Sequence, residues 1–144
     1  MKKKIIYLQR PHQKGKTSTL NYVISLFDDM LNQVDLPEHL SKKDGEGRSF
    51  EYKGHKIGVC TPGDDRLCIN KNFKFFEENA CDIGLTAVCM KNSDSWDELQ
   101  KYKKEWELEK AIDNGMSISQ LESEQEERNK KAAETIFHNL LDSL

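Results

Sequence analysis

The sequence predicts an α/β protein, a three-layer sandwich with a mainly parallel sheet, helices on both faces and a β-hairpin insertion. Three observations carry this. Ile5-Ile6-Tyr7-Leu8 is a short continuous apolar run, the pattern of a strand buried on both faces. Leu20, Val23, Ile24, Phe27, Met30, Leu31 and Val34 recur at three- and four-residue steps, one apolar helical stripe ready to pack on a sheet. Further on, segments of strand and helix character alternate to the end of the chain.

The elements follow in order. The first strand lies between the lysines at 2–4 and a Pro11-containing loop, and the first helix starts near Lys16 and ends near Gln33, because Pro37 blocks continuation. Residues 35–49 are polar, contain Pro37, Gly45 and Gly47, and read as a loop with a helical turn near Glu38 to Leu40. Ser49 to Lys53 and Lys56 to Thr61 form a hairpin around Gly54. After a loop at Thr61 to Asp65, the spacing of Ile69, Phe73, Phe76 and Ala80 predicts a helix over 65–79. Cys81 to Cys89 is a core strand, and Ser93 to Lys104 a helix capped by Ser93 or Asp94. Trp106 and Leu108 alternate with glutamates as in a half-exposed strand. Residues 113–119 read as a loop. The last helix runs over 119–142, its stripe formed by Ala133, Ile136, Phe137, Leu140, Leu141 and Leu144, its first half polar and projecting or fraying.

At 144 residues the chain is one domain long, and 1–144 is read as a single unit. Its net charge of -3 conceals an asymmetry: Lys2, Lys3, Lys4, Arg10, Lys14 and Lys16 precede any acid, whereas from Lys91 onward 8 basic residues face 13 acidic ones. A basic end suits an anionic ligand such as a phosphate, although Lys2 to Lys4 also serve as a solubilising start. Nucleic acid is not expected, since that needs a wider basic face. No run approaches the ~20 apolar residues of a membrane span, and Ile5 to Leu8 is too short for a secretory signal. Cys60, Cys68, Cys81 and Cys89 form no close pair, so buried free thiols in the cytoplasm are expected rather than a zinc site.

The chemistry lies in Arg10-Pro11-His12-Gln13-Lys14-Gly15-Lys16-Thr17, set against G-x-x-x-x-G-K-[ST]. Gly15, Lys16 and Thr17 match; Arg10 stands where the first glycine belongs. A glycine lets the backbone approach phosphate oxygens without a Cβ. Successive N–H groups make an anion-binding concavity, and the following helix aims its positive end at the same place. The setting, a buried strand before the loop and a regular helix after it, is what the motif requires.

Residues 3–31 therefore resemble the phosphate-loop region of P-loop nucleoside triphosphatases, and the chain is similar in size to small nucleotide kinases and bacterial P-loop ATP-binding proteins. The resemblance implies a Mg²⁺–NTP ligand, with Lys16 on the β- and γ-phosphates and Thr17 on the metal. Pro11, His12, Gln13, Lys14 and Ser18 would line the phosphates beside them. Arg10 would either crowd the loop or add its guanidinium to the phosphate contacts. An acid is also needed, and Asp64 is the first candidate as metal-side or water-positioning carboxylate, Asp65 the second; either one instead caps the next helix. Arg66 is a candidate charge-stabilising arginine and Lys91 a candidate base-contacting or lid residue, both set against ordinary surface roles.

The expectation is thus Mg²⁺-dependent binding of ATP or another NTP with hydrolysis or phosphoryl transfer by Lys16 and Asp64, to water or a small-molecule acceptor. The alternative is a regulatory or interaction module with little catalysis, meeting a second copy or a protein partner through the C-terminal helix. The absence of a GTPase-type base-reading motif favours ATP over GTP.

Overall fold

The computed structural model describes residues 3–11, 15–31, 43–44, 47–113 and 122–144. The elements are β1 (Lys3–Gln9), α1 (Lys16–Leu31), β2 (Lys43–Asp44), β3 (Gly47–Tyr52), β4 (His55–Cys60), α2 (Arg66–Glu78), β5 (Ile83–Val88), α3 (Asp94–Gln100), β6 (Trp106–Lys110) and α4 (Glu122–Asp142). They form one six-stranded sheet in the order β2-β3-β4-β5-β1-β6.

The sheet is mixed, not mainly parallel as expected. β1 pairs in parallel with β5 and β6, and β4 with β5; β3 pairs antiparallel with β4, and β2 with β3. The reason is a two-residue turn. Lys53 and Gly54 both take positive φ, 50° and 78°, which sends the chain straight back so that Tyr52 faces His55. A return that short allows only antiparallel pairing. Nor is the hairpin an insertion: its second strand, β4, is a full member of the parallel region.

Helices cover both faces. Leu20, Val23, Ile24 and Phe27 of α1 pack with Ile136, Phe137 and Leu140 of α4 over Ile6, Leu8, Val59 and Leu85. On the other face Ile69, Phe73 and Phe76 of α2 and Leu99 of α3 pack over Ile5, Cys60, Val88 and Trp106. Period-two alternation in β1 serves both cores, with Ile6 and Leu8 on one side and Ile5 and Tyr7 on the other. The expected stripe of α4 is consumed by this chain's own sheet: Ala133, Ile136, Phe137 and Leu140 are buried, while Leu141 and Leu144 pack at the edge.

Three boundaries differ from expectation. Residues 43–44 and 47–48, read as loop, belong to strands β2 and β3; Gly47 is buried under the Phe75 ring, where a Cβ would come within 3.0 Å of it. α3 ends at Gln100, and the chain turns at 101–105 before β6. The first half of α4 does not simply project, since Asn129 is buried. The helical turn expected near 38–40, the loop at 114–119 and the first residues of the last predicted helix lie outside the described residues.

Candidate functional site

The fold creates a crevice at the carboxyl ends of the parallel strands. β1 leads into α1 on one face, and its neighbour β5 leads into α3 on the other. Connections that leave in opposite directions open a gap between the two strand ends, where ligands bind in open α/β sheets. Residues from three loops meet there: Gly15 to Thr17 after β1, Asp64 after β4 and Cys89 after β5.

Gly15 has φ of 84°, a left-handed conformation that a side chain would strain. The first helical hydrogen bond of α1 runs from Thr19 N–H to Gly15 C=O at 2.9 Å. The amides of Lys16, Thr17 and Ser18 therefore have no acceptor within the helix, and its positive dipole end faces the crevice. Thr17 and Ser18 are exposed.

Lys16 is buried, 5% exposed, and its ammonium is held from several sides. Nζ lies 3.1 Å from Asp64 Oδ1. It donates to the carbonyls of Arg10 and Pro11 and to Cys89 Sγ, each at 3.3 Å. A buried ammonium needs such partners, because an unpaired charge is costly away from water. Asp64 is half exposed and so presents a carboxylate to both the lysine and the solvent.

Asp64 and Asp65, the first and second candidates for the acid, make different contacts. Asp65 is the N-cap of α2: its carboxylate accepts from Cys68 N–H at 2.9 Å, which holds its carboxyl below the usual range. Asp64 is left facing Lys16. Its loop is anchored from beneath. Asn72 Nδ2 donates to Pro62 C=O and to Thr86 Oγ1, both at 2.8 Å. Gly63 rests against β5 so closely that a Cβ would lie 2.2 Å from the Ala87 carbonyl oxygen. Cys89 is fixed in turn by its N–H, which donates to Ser95 Oγ at 2.9 Å.

Arg10 turns inward instead of toward a phosphate. It does not reach outward into solvent; its side chain is fully buried. Nε and Nη2 make a two-pronged ion pair with Asp113 at 2.7 and 2.8 Å. Nη1 donates to Thr19 Oγ1 at 3.0 Å and to Asn129 Oδ1 at 2.6 Å. The guanidinium thus joins the end of β1 to α1, α4 and the segment after β6.

Of the remaining candidates, Pro11 contributes the carbonyl named above. His12, Gln13 and Lys14 lie outside the described residues. Arg66 is exposed, in the field of Glu98, and Lys91 is exposed on the turn after β5. Asn72, Cys89, Asp113 and Asn129 join the site or its support without belonging to any sequence motif. A separate cavity of about 420 Å³, lined by Lys4, His55, Asp82 and Glu107, lies at the opposite end of the strands. There Asp82 accepts from Lys56 N–H at 2.6 Å and pairs with His55 Nδ1 at 2.6 Å, tying β4 to β5. No group of three or more metal-ligating side chains occurs among the described residues, and no helix there is long and apolar enough to cross a membrane.

Comparison with known families, with curated proteins and with solved structures finds no match for this chain, so the reading of the site rests on its own geometry.

Proposed function

We propose that this chain binds a Mg²⁺–nucleoside triphosphate, ATP before GTP, at the crevice of Gly15, Lys16, Thr17 and Asp64, as a P-loop protein does, and hydrolyses it or transfers its terminal phosphoryl group. One observation carries the reading. A buried lysine at a glycine-started helix N-terminus already holds an anionic oxygen, that of Asp64, at 3.1 Å. A phosphate oxygen asks for the same partner, backed by the first-turn amides that have no acceptor within the helix.

The residues fit a Mg²⁺–nucleotide on chemical grounds. Thr17 offers an exposed hydroxyl, Asp64 a half-exposed carboxylate, and hard oxygen donors of this kind suit Mg²⁺. Bound Mg²⁺ would neutralise charge on the phosphates. The chain's own part is to orient them by the Gly15–Thr17 backbone and to place Lys16 against the transferred group. Asp64 would leave Lys16 when the phosphate arrives, becoming available to the metal or to a water. A site in the cytoplasm, where such ligands are abundant, belongs to the same proposal, as does a small-molecule acceptor.

A second reading has a specific observation in its favour. Because the acid at the site is engaged by the lysine, a nucleotide that merely replaced Asp64 would be bound without being cleaved. The protein would then be a nucleotide-responsive interaction module. Melting curves with ATP, GTP and deoxynucleotides, each with and without Mg²⁺, test the common core. Saturation at about 100 Kd should add about 2.7 kcal/mol. No stabilisation by any of them refutes both readings. Phosphate release or transfer that vanishes in Lys16→Ala separates enzyme from module.

A further inference from the structure

We propose that Asn129 of α4 is a positioning residue for the phosphate loop, making the C-terminal helix part of the nucleotide site. The inference rests on the reading above and concerns how that site is shaped. Its basis is that one side chain touches both ends of the loop.

At the far end, Asn129 is packed on Gly15. A Cβ built on Gly15 would fall 2.5 Å from Asn129 Nδ2 and 2.8 Å from Oδ1, so the amide lies directly over the glycine. At the near end, Asn129 Oδ1 accepts from Arg10 Nη1 at 2.6 Å. The same Nη1 donates to Thr19 Oγ1, one turn into α1. Gln125, four residues earlier on α4, donates to Asn129 Oδ1 at 3.0 Å and orients the amide. Asn129 is 4% exposed, and Arg10 and Thr19 are fully buried. A buried polar cluster whose guanidinium and amide oxygen are paired in this way favours one geometry over its neighbours.

In the expected motif, glycines at both ends leave the loop backbone to define its own shape. Here an arginine holds one end and a neighbouring helix covers the glycine at the other. The curvature that points the Lys16–Ser18 amides at a phosphate is therefore set partly by α4. Coupling works in both directions by linkage: an anion that fixes the loop also fixes the segment of α4 around Asn129.

The test measures Mg–ATP affinity by calorimetry for the wild type, Asn129→Ala and Leu140→Ala. Leu140 is a buried α4 residue eleven positions further on, about 16 Å along the helix, and packs only in the core. Outer residues that orient ligand-binding groups are typically worth about 10–100-fold. Asn129→Ala should weaken Mg–ATP at least about ten-fold, while Leu140→Ala lowers Tm and leaves the affinity of the folded protein unchanged. Hydrogen exchange adds a readout that a merely structural role would not move: Mg–ATP should slow amides around residue 129 in the wild type and not in Asn129→Ala. Should Asn129→Ala fail to fold, Gln125→Ala removes only the orienting donor and should weaken binding about three-fold. Equal affinities, or equal losses in Asn129→Ala and Leu140→Ala, overturn the inference alone. A wild type that binds no nucleotide overturns the proposed function and this inference with it.

Discussion

Arg10→Gly would complete the G-x-x-x-x-G-K-[ST] pattern on paper, and the structure predicts that it damages the protein. The substitution removes a fully buried guanidinium. It leaves Asp113, only 7% exposed, without its two-pronged partner at 2.7 and 2.8 Å. Asn129 Oδ1 and Thr19 Oγ1 lose a donor at the same time. Breaking a buried ion pair by removing one member costs about 3–5 kcal/mol, because the remaining charge stays buried. Whole domains are stable by only about 5–15 kcal/mol. With a urea m-value near 2 kcal/mol/M, the midpoint should fall by about 1.5–2.5 M. Tryptophan fluorescence can follow unfolding, since Trp106 is fully buried in the α2–α3 core. Removing the charge on both sides, by Arg10→Met with Asp113→Leu, should recover much of the loss. A loss below about 1 kcal/mol in Arg10→Gly, or tighter nucleotide binding by that variant, would refute the assignment of Arg10 to the interior.

Other outcomes follow from single contacts. Gly63→Ala should destabilise by more than about 2 kcal/mol in chemical denaturation, because its Cβ meets the backbone of β5 at Ala87, which cannot rotate away. Asp65→Ala should lower stability measurably in chemical denaturation through loss of the α2 cap, with nucleotide affinity little changed. The Asp65 carboxyl is held below its ordinary value by the Cys68 N–H. Its contribution is therefore present above the unfolded-state pKa and fades as the pH falls through the lower folded value; acid titration of Asp65→Ala should lack that component. Burial pushes the Cys81 thiol up from 9.0 to about 11, so it should resist alkylation at pH 8 in the folded protein. The sign of the linkage is the reverse of that for Asp65: stability from neutral Cys81 is intact below about pH 9 and is lost toward pH 11, a decline that Cys81→Ala should lack.

Much of the scaffold was legible because local periodicity encodes it. Leu20, Val23, Ile24 and Phe27 of the α1 stripe, Ile5, Ile6 and Leu8 of the first run, and Ile69, Phe73 and Phe76 of α2 are buried where spacing placed them. The Gly54 turn was legible too, since a glycine between two strand-like runs suits the positive φ of 78° found there; the positive φ of Lys53 has no such signal. Strands β2 and β3 began inside a stretch that reads as loop, because Gly47 and Ser49 are buried by Phe75 and the sheet rather than by their own hydrophobicity. At the site, Gly15, Lys16 and Thr17 carry a local motif. Arg10 does not: its partners Asp113 and Asn129 lie 103 and 119 residues away, and nothing in the loop's composition announces them. The choice between Asp64 and Asp65 was likewise tertiary, decided by which carboxylate reaches Cys68 N–H and which faces Lys16. Cys89 is indeed a buried thiol, yet it borders the ammonium of Lys16 because β5 ends beside β1.

The central claim is that Lys16 exchanges the Asp64 carboxylate for a phosphate. Titration of Mg–ATP into the wild type and Lys16→Ala, under conditions where both are folded, tests this most directly. The account predicts saturable binding by the wild type and a loss of about 10–150-fold in Lys16→Ala, the range expected when a charge-assisted contact to phosphate is removed. Equal affinity in the two proteins, or no binding by the wild type at millimolar Mg–ATP, would contradict it.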